Sequence, residues 1–389
     1  MSGAPSAAEA PPLGVYLHWP YCARICPYCD FNVRRDRGGG QVALVEAMAQ
    51  DLAAQRALTG PRRLVSVFFG GGTPSLLAPE QVARLLEVAR GLWTADAELE
   101  VSLEANPTDA EAARFSALAQ AGVNRLSLGV QALDDAQLRF LGRDHDAAAG
   151  RRAVETALRT AGRVSLDLIY ALPGQDRAQW RAALGEAAAL GAEHVSPYQL
   201  TVEPGTAFHR AVRRGRWTPA EPDLAADLYE ATQEVLGARG FHAYEVSNHA
   251  RGAAAEARHN LVYWRGWDYA GAGPGAHGRL TIDGQRRATE THAEPTAYVS
   301  AVAERGLGFA ADAPLSPVAV AEERLLMGMR THEGVALEEV AATGLAADDP
   351  RLRDYAELGL LTLRAGRICA TAAGRRVLDR LTAELAGAA

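Results

Sequence analysis

The sequence predicts an α/β fold, a partial (β/α)6 TIM-like barrel followed by a small helical, winged-helix-like C-terminal domain. Three observations carry this. Apolar, β-branched runs recur at 15–18, 64–69, 99–103, 125–130, 164–170 and 194–200. Helix-period segments lie between and after them, at 42–58, 79–93, 109–122, 147–160, 177–190 and 222–239. Beyond 313 the pattern is helical and ends in a hairpin. Strands alternating with amphipathic helices are repeated βα units and form a parallel sheet. Six units are too few to close an eight-stranded barrel but suit an open one, in which functional groups gather at the carboxyl ends of the strands.

Along the chain, residues 1–12 (MSGAPSAAEAPP) are small and polar, lack the apolar stretch of a signal peptide, and read as a disordered lead-in. Residues 13–240 carry the βα repeat. From 241 to 312 the texture turns to aromatics, histidines and glycines (FHAYEVSNHA, HNLVYWRGWDYAGAGPGAHG), which reads as a structured, loop-rich connection. Residues 313–389 show helical periodicity at 321–331, 336–342 and 349–358. A hairpin at 361–364 and 367–371 then turns at Ala365 and Gly366, before a final helix. Helices followed by a hairpin usually suggest DNA binding, but a net charge of −7 with no basic stripe favours a packing role. No apolar run reaches the roughly 18–20 residues of a membrane span. The expected location is cytoplasmic, with no nucleic-acid partner and no transmembrane segment.

All 40 basic residues are arginine. Without lysine, a lysine-dependent phosphate loop, a Schiff-base aldolase and a pyridoxal-phosphate enzyme are excluded. Cysteine chemistry is the positive signal. Cys22, Cys26 and Cys29 (CARICPYC) follow the first predicted strand and are three of the four cysteines. Thiolates at that density in a reducing compartment are metal ligands. The spacing C-x-x-x-C-x-x-C differs from structural zinc knuckles, and zinc would need His18 or a distant fourth ligand. Three thiolates on a four-iron cluster leave one iron open to chelate a small molecule, and iron–sulfur ligation is the better match. Cys369, alone in the hairpin, reads as a small buried hydrophobe.

Other polar residues fall at strand ends. Gly70, Gly71, Gly72, Thr73 and Pro74 follow the second strand, where glycines let backbone N–H groups approach a ligand or simply form a turn. Glu104 ends the third strand, Gln131 ends the fourth, and Asp167 lies in the fifth; Arg143 suits bidentate pairing with a carboxylate. Singly, each fits a satisfied core polar group. Their recurrence at successive strand ends marks a site. Farther on, His259 opens HNLVYW, and an imidazole among aromatics suits an axial ligand of heme iron, with Tyr263 and Trp264 as stacking surface. The plainer reading makes His259 and Asn260 a polar turn beside core aromatics. His249 and His277 are rival ligands. GAGPGA imitates a dinucleotide fingerprint but has no convincing strand before it and contains Pro274.

The cysteine motif after the first strand of a βα repeat resembles the radical S-adenosylmethionine superfamily. The downstream motifs resemble its coproporphyrinogen III dehydrogenase group, which includes the HemW-type heme chaperones, and the likeness runs from about Leu13 to the C-terminus. The resemblance implies a radical SAM core over 13–240, with Cys22, Cys26 and Cys29 holding a 4Fe–4S cluster and S-adenosylmethionine on its open iron. It places Tyr16 against the methionine moiety or the cluster and Tyr28 near adenine. Gly71, Gly72, Thr73, Glu104, Gln131, Arg143 and Asp167 complete that pocket. It also makes heme a ligand, at His259.

Within the group, the dehydrogenases carry a further cysteine two positions after the third, where this chain has Phe31, and a longer N-terminal arm. YEVSNHA and HNLVYW are similar to the chaperone pattern. The expected function is therefore a heme chaperone that binds heme and passes it to an acceptor protein of unspecified identity. The alternative is an oxygen-independent coproporphyrinogen III dehydrogenase, an oxidoreductase using a 5′-deoxyadenosyl radical. Whether radical chemistry occurs and whether the chain forms a homodimer stay open, and a structural zinc protein is the third reading.

Overall fold

A computed structural model describes residues 10–387. The lead-in 1–12 lies outside them except for its last three residues. The expected elements follow in order: β1 (Pro12–Trp19), α1 (Gln41–Thr59), β2 (Arg63–Gly71), α2 (Pro79–Leu92), β3 (Thr94–Ala105), α3 (Phe115–Gln120), β4 (Arg125–Gln131), α4 (Ala147–Thr160), β5 (Arg163–Tyr170), α5 (Arg177–Ala189), β6 (His194–Gln199) and α6 (Pro222–Gly237). The single helix expected over 109–122 is instead one turn, Asp109–Ala112, and then α3. Local signals set the boundaries: Asp146 caps α4, Asp176 and Gln179 form a capping box on α5, and Pro222 starts α6.

β1 to β6 are neighbours in sequence order and all parallel. Strand alternation sorts their side chains. Leu13, Val15 and Leu17 on β1, Val101 and Leu103 on β3, and Leu166 and Leu168 on β5 are buried in the core shared with the helices. The residues between them, among them Ser102, Ser127, Ser165 and Ser196, line an interior cavity. A β-strand of this kind is apolar outside and polar within.

The connection over 241–312 is not loop-rich. It holds α7 (Arg258–Trp264), β7 (Asp268–Ala272), β8 (His277–Ile282), β9 (Gln285–Thr291), α8 (Pro295–Arg305) and β10 (Phe309–Pro314). β7 runs parallel to β1, with Gly271 opposite Tyr16, so the open barrel has seven parallel strands rather than six. β8, β9 and β10 extend the sheet antiparallel. β7 escapes a sequence reading because DYAGA contains no β-branched residue. Gly271 has no side chain because the hairpin partner presses on it: a Cβ there would stand 2.1 Å from the His277 carbonyl oxygen. GAGPGA is therefore a strand end and a turn, and His277 opens β8 instead of lying in a loop.

Buried polar groups on α1 secure this added strand. Gln55 Nε2 donates to the Gly271 carbonyl at 2.9 Å and to Asp51 Oδ1 at 3.1 Å, while the Tyr298 hydroxyl donates to Asp51 Oδ2 at 2.8 Å. Burial pushes the Asp51 carboxyl up to about 6, against the opposing pull of these bonds.

The C-terminal part comprises α9 (Pro317–Gly328), α10 (Pro350–Glu357), the hairpin of β11 (Leu361–Arg364) and β12 (Arg367–Ala370), and α11 (Leu378–Leu385), with Val335–Ala336 pairing to β12. It has its own core, including Leu325, Met329, Val335, Ile368 and Leu381. Cys369 is only half-buried there, its Sγ 3.5 Å from the Glu333 carbonyl. Contacts at the end of α7 tie this domain to it, among them Arg324 Nη1 donating to the Trp264 carbonyl at 2.8 Å and Arg265 pairing with Glu333.

Two outcomes follow from the packing of β7. Gly271→Ala is expected to lower unfolding stability by more than about 2 kcal/mol, read from a urea midpoint; an unchanged midpoint would mean the β8 backbone yields freely. The Asp51 carboxyl titrates near 6 when folded against 3.8 ordinarily. Its contribution is thus fully present below about pH 4 and is lost as pH rises through about 6, by up to about 3 kcal/mol. Asp51→Asn should remove that part of the stability–pH slope.

Candidate functional site

At the carboxyl ends of the parallel strands lies a cavity of about 860 Å³ that extends down the barrel interior. Its volume is toward the upper end of the ~300–1,000 Å³ usual for ligand pockets. Cys22, Cys26, Cys29, Tyr28, Gly71, Gly72, Thr73, Glu104, Gln131, Arg143 and Asp167 all line it. Residues separated by more than a hundred positions in the chain thus share one wall.

The cysteine loop is positioned by the glycine-rich turn. Gly72 N–H donates to the Trp19 carbonyl at 2.6 Å and Thr73 N–H to the Tyr21 carbonyl at 2.9 Å, which carries the chain past β2 just before Cys22. A Cβ on Gly72 would be 2.6 Å from the Tyr21 oxygen. Gly71, at φ +104, leaves room for the His18 ring, and its N–H donates to Glu104 Oε2 at 3.0 Å. All three amides are engaged inside the protein, so the turn shapes the site rather than offering N–H groups to a ligand. Among the described residues the Gly72 carbonyl has no hydrogen-bond donor, which suits an ammonium group. On its far side, the cysteine loop is held by Asn32. Asn32 Nδ2 donates to the carbonyls of Pro274 and Ala293, and its own carbonyl accepts from His18 Nε2 at 3.0 Å.

Each thiol has a hydrogen-bonding group beside it: the Thr73 side chain at Cys22, Arg143 Nη1 3.3 Å from Cys26 Sγ, and the Phe31 backbone at Cys29. None is in a disulfide. Burial raises the Cys22 thiol and pushes Cys29 up to about 11, so these sulfurs keep their protons until a cation takes the protons' place. Among the described residues no three Cys, His, Asp or Glu side chains converge on one point as a single ion requires. Three separated thiols with donors to their sulfurs fit the corners of a 4Fe–4S cluster with one iron left open.

Around them, Arg143 Nη2 donates to Asn106 Oδ1 at 2.5 Å and to the Gly129 carbonyl at 2.9 Å, while its Nε is buried without a partner. Asn106, overlooked in the SLEANP motif, links Arg143 to Thr73 through Nδ2 at 3.2 Å. Gln131 has the left-handed φ of +65 at a break in the β4–β5 register, an uncommon conformation for a non-glycine that aims its side chain into the cavity. Burial pushes Glu104 up to about 8, helped by the neighbouring Asp167, and pushes Asp167 up to about 6 despite bonds from Ser127 and Ser196. At neutral pH Glu104 is mostly a protonated acid, able to donate as well as accept toward hydroxyls. Ser127 and Ser196 could have been found from their alternation with outward Leu and Val.

Tyr16 and His259 are not on the cavity wall. They form a three-ring cluster with Phe68, with the Phe68 and His259 ring centroids 4.8 Å apart and those of Tyr16 and His259 6.3 Å apart. The Tyr16 hydroxyl donates to His18 Nδ1 at 2.9 Å instead of facing a ligand. His259 is buried on α7, Nδ1 2.9 Å from Ser66 Oγ and Nε2 2.7 Å from the Tyr263 hydroxyl. Burial lowers its pKa to about 3. With both ring nitrogens bonded, His259 ligates iron only if one of these bonds breaks, and HNLVYW serves here as the plug in the barrel floor. His249 is also buried, with Nδ1 unpartnered, whereas His277 is exposed.

The chain matches the Radical SAM superfamily over residues 16–187 and the HemN C-terminal domain over residues 315–377. It is 39% identical to the mitochondrial radical S-adenosyl methionine domain-containing protein 1 of Bos taurus, over 99% of this chain and 89% of that protein. It is 36% identical to the heme chaperone HemW of Bacillus subtilis (strain 168), over 89% of this chain and 92% of the relative. The solved structure of coproporphyrinogen III oxidase (HemN) from Escherichia coli, a radical SAM enzyme, shares the fold with a TM-score of 0.79 at 22% identity, covering 98% of this chain and 91% of that one.

Cys26→Ala is expected to abolish the visible absorbance near about 400 nm of the anaerobically reconstituted protein; full iron and sulfide in that variant would sink the ligand assignment. Gly72→Ala should keep the far-ultraviolet circular dichroism of the native fold yet lose most of its iron, since the added Cβ displaces the cysteine loop.

Proposed function

The chain belongs to the radical S-adenosylmethionine family that contains the HemW heme chaperones, and from that premise we propose that it is itself a heme chaperone. It binds heme, carries a 4Fe–4S cluster on Cys22, Cys26 and Cys29 with S-adenosylmethionine beside it, and passes heme to an acceptor protein in the cytoplasm. The observation that carries this reading is one cavity lined both by three thiols and by a strand-end set fitted to a small molecule. A cluster there supplies one-electron chemistry to the bound adenosylmethionine.

The chain's own groups have separable tasks. Arg143 Nη1 donates to both the Cys26 sulfur and the Tyr28 hydroxyl and so holds the two side by side. Glu104, tied to Gly71, and Asp167, tied to Ser127 at 2.9 Å, present carboxyl groups for hydroxyls of a ribose. Phe31 occupies the position of the further dehydrogenase cysteine, leaving three thiols rather than four, which supports the chaperone over the dehydrogenase.

The test is an anaerobic heme titration of the reconstituted chain, followed by Soret absorbance, beside His259→Ala. Saturable binding near one heme per chain is the expected outcome, and it should persist in the variant at a lower melting temperature, because His259 is a floor residue. Loss of heme binding from a still-folded variant would restore His259 as the ligand. Absence of saturable binding, with turnover of coproporphyrinogen III, would overturn the chaperone reading.

A further inference from the structure

The C-terminal domain does more than pack against the barrel: it closes part of the cavity. Arg330, Arg375, Arg376 and Arg380 all line it, and among the described residues Asp379 is the one carboxylate that lines it from the same domain. Among the described residues, seven arginines and five carboxyl groups line the cavity as a whole, although the chain carries a net charge of −7. Two of those five, Glu104 and Asp167, are shifted toward their neutral forms by burial. An acidic protein that gathers cations around one concavity is arranged for an anionic ligand.

The same mouth is apolar. Ile25 (46% exposed) and Phe31 (60%) on the cysteine loop face the cavity, as do Tyr198 (43%) on β6 and Val377 (44%) just before α11. Apolar carbon left open in a concave site marks a ligand surface. Polar atoms wait there too. Arg330 Nε and Asn248 Oδ1 are buried without a hydrogen-bond partner, and both residues line the cavity. Buried polar groups are almost always paired, so these two point to a missing ligand or ordered water. Arg330 is held in place by stacking 5.0 Å over the Trp264 ring and by Glu245 at 3.7 Å, which gives HNLVYW and YEVSNHA a shared purpose. Arg376 pairs with Glu230 at 3.0 Å and Arg375 bonds Tyr229, so both are anchored to α6 while facing the cavity.

We propose that this mouth binds a flat apolar ligand through two or more carboxylates, with Arg330, Arg375 and Arg376 as their partners. This rests on the heme reading, in which the carboxylates are the two propionates of heme. The macrocycle lies between the apolar residues of the cysteine loop and those of the C-terminal domain, and its carboxylates point at the arginines.

The deciding experiment compares heme with its dimethyl ester, titrated into the full reconstituted chain under anaerobic conditions, and repeats both titrations with Arg330→Gln/Arg375→Gln and with the more exposed Arg376→Gln. Wild type should bind the free acid about tenfold or more tighter than the ester. The variants should lose that preference while keeping the ester affinity, a pattern that misfolding does not produce. Equal affinity for acid and ester in wild type overturns the carboxylate assignment and leaves heme binding intact. Variants that weaken acid and ester alike assign the arginines to packing and overturn it as well. No saturable binding of heme or of metal-free protoporphyrin IX overturns this inference together with the chaperone reading.

Discussion

The loop that bears the three cysteines crosses the end of β2 so closely that no Cβ fits beneath it, and the position of the three thiols against the strand ends depends on that approach. Gly72 and Thr73 grip the backbone at Trp19 and Tyr21, and Asn32 fastens the loop's far end to the turn after β7. Glycine at position 72 is required by space, since a Cβ there would stand 2.6 Å from the Tyr21 carbonyl oxygen. Held on both sides, the sulfurs face Arg143 and Thr73, which come from different strands' loops. Preorganised thiols and donors of this kind reduce the reorganisation needed when a cluster binds.

Beneath the cysteine loop the barrel is polar where a closed barrel would be packed with branched apolar side chains. Glu100, buried, pairs with Arg163 at 2.8 Å and Arg125 at 3.5 Å, and accepts from the His259 N–H at 3.2 Å. Arg125 also donates to Ser165 Oγ at 2.7 Å, and Ser165 meets His194, which reaches the Tyr244 hydroxyl. Buried charges of this density are tolerated only when every group is paired, and losing one partner leaves the rest uncompensated. The network joins β3, β4, β5 and β6 to α7, so the plug helix is part of the barrel and fixes the depth of the cavity above it. The C-terminal domain then seats on the plug through Trp264 and Arg265, which brings its arginines to the mouth. Cysteine loop, floor and closing domain therefore form one enclosure with a thiol end and a cationic end.

Certain elements could be read in advance because their signals are local. The six strands and their helices follow from periodicity and caps, the hairpin from Ala365 and Gly366, and the grouping of three thiols from three cysteines within eight residues. Elements whose residue choice is set by a distant neighbour were hidden. DYAGA carries Gly271 because β8 leans on it there, and with no β-branched residue its composition suggests a loop. Asn106, Ser127 and Ser196 look like ordinary polar residues until the barrel closes their separation. HNLVYW looks like a ligand motif because aromatics around an imidazole are equally apt for iron and for a hydrogen-bonded core.

By itself, then, the sequence determined the fold class, the thiol chemistry, the exclusion of lysine-based mechanisms and the list of strand-end residues. All of these depend on spacing and residue type, which are properties of the chain taken a few residues at a time. Only the tertiary structure decided which of these residues share the cavity and which lie under it, because that depends on the direction in which each strand's alternation points. It also decided that both nitrogens of His259 are occupied, that a seventh strand flanks β1, and that arginines from the last seventy residues reach the site. Long-range packing decides such matters, and packing leaves no periodic trace in the sequence.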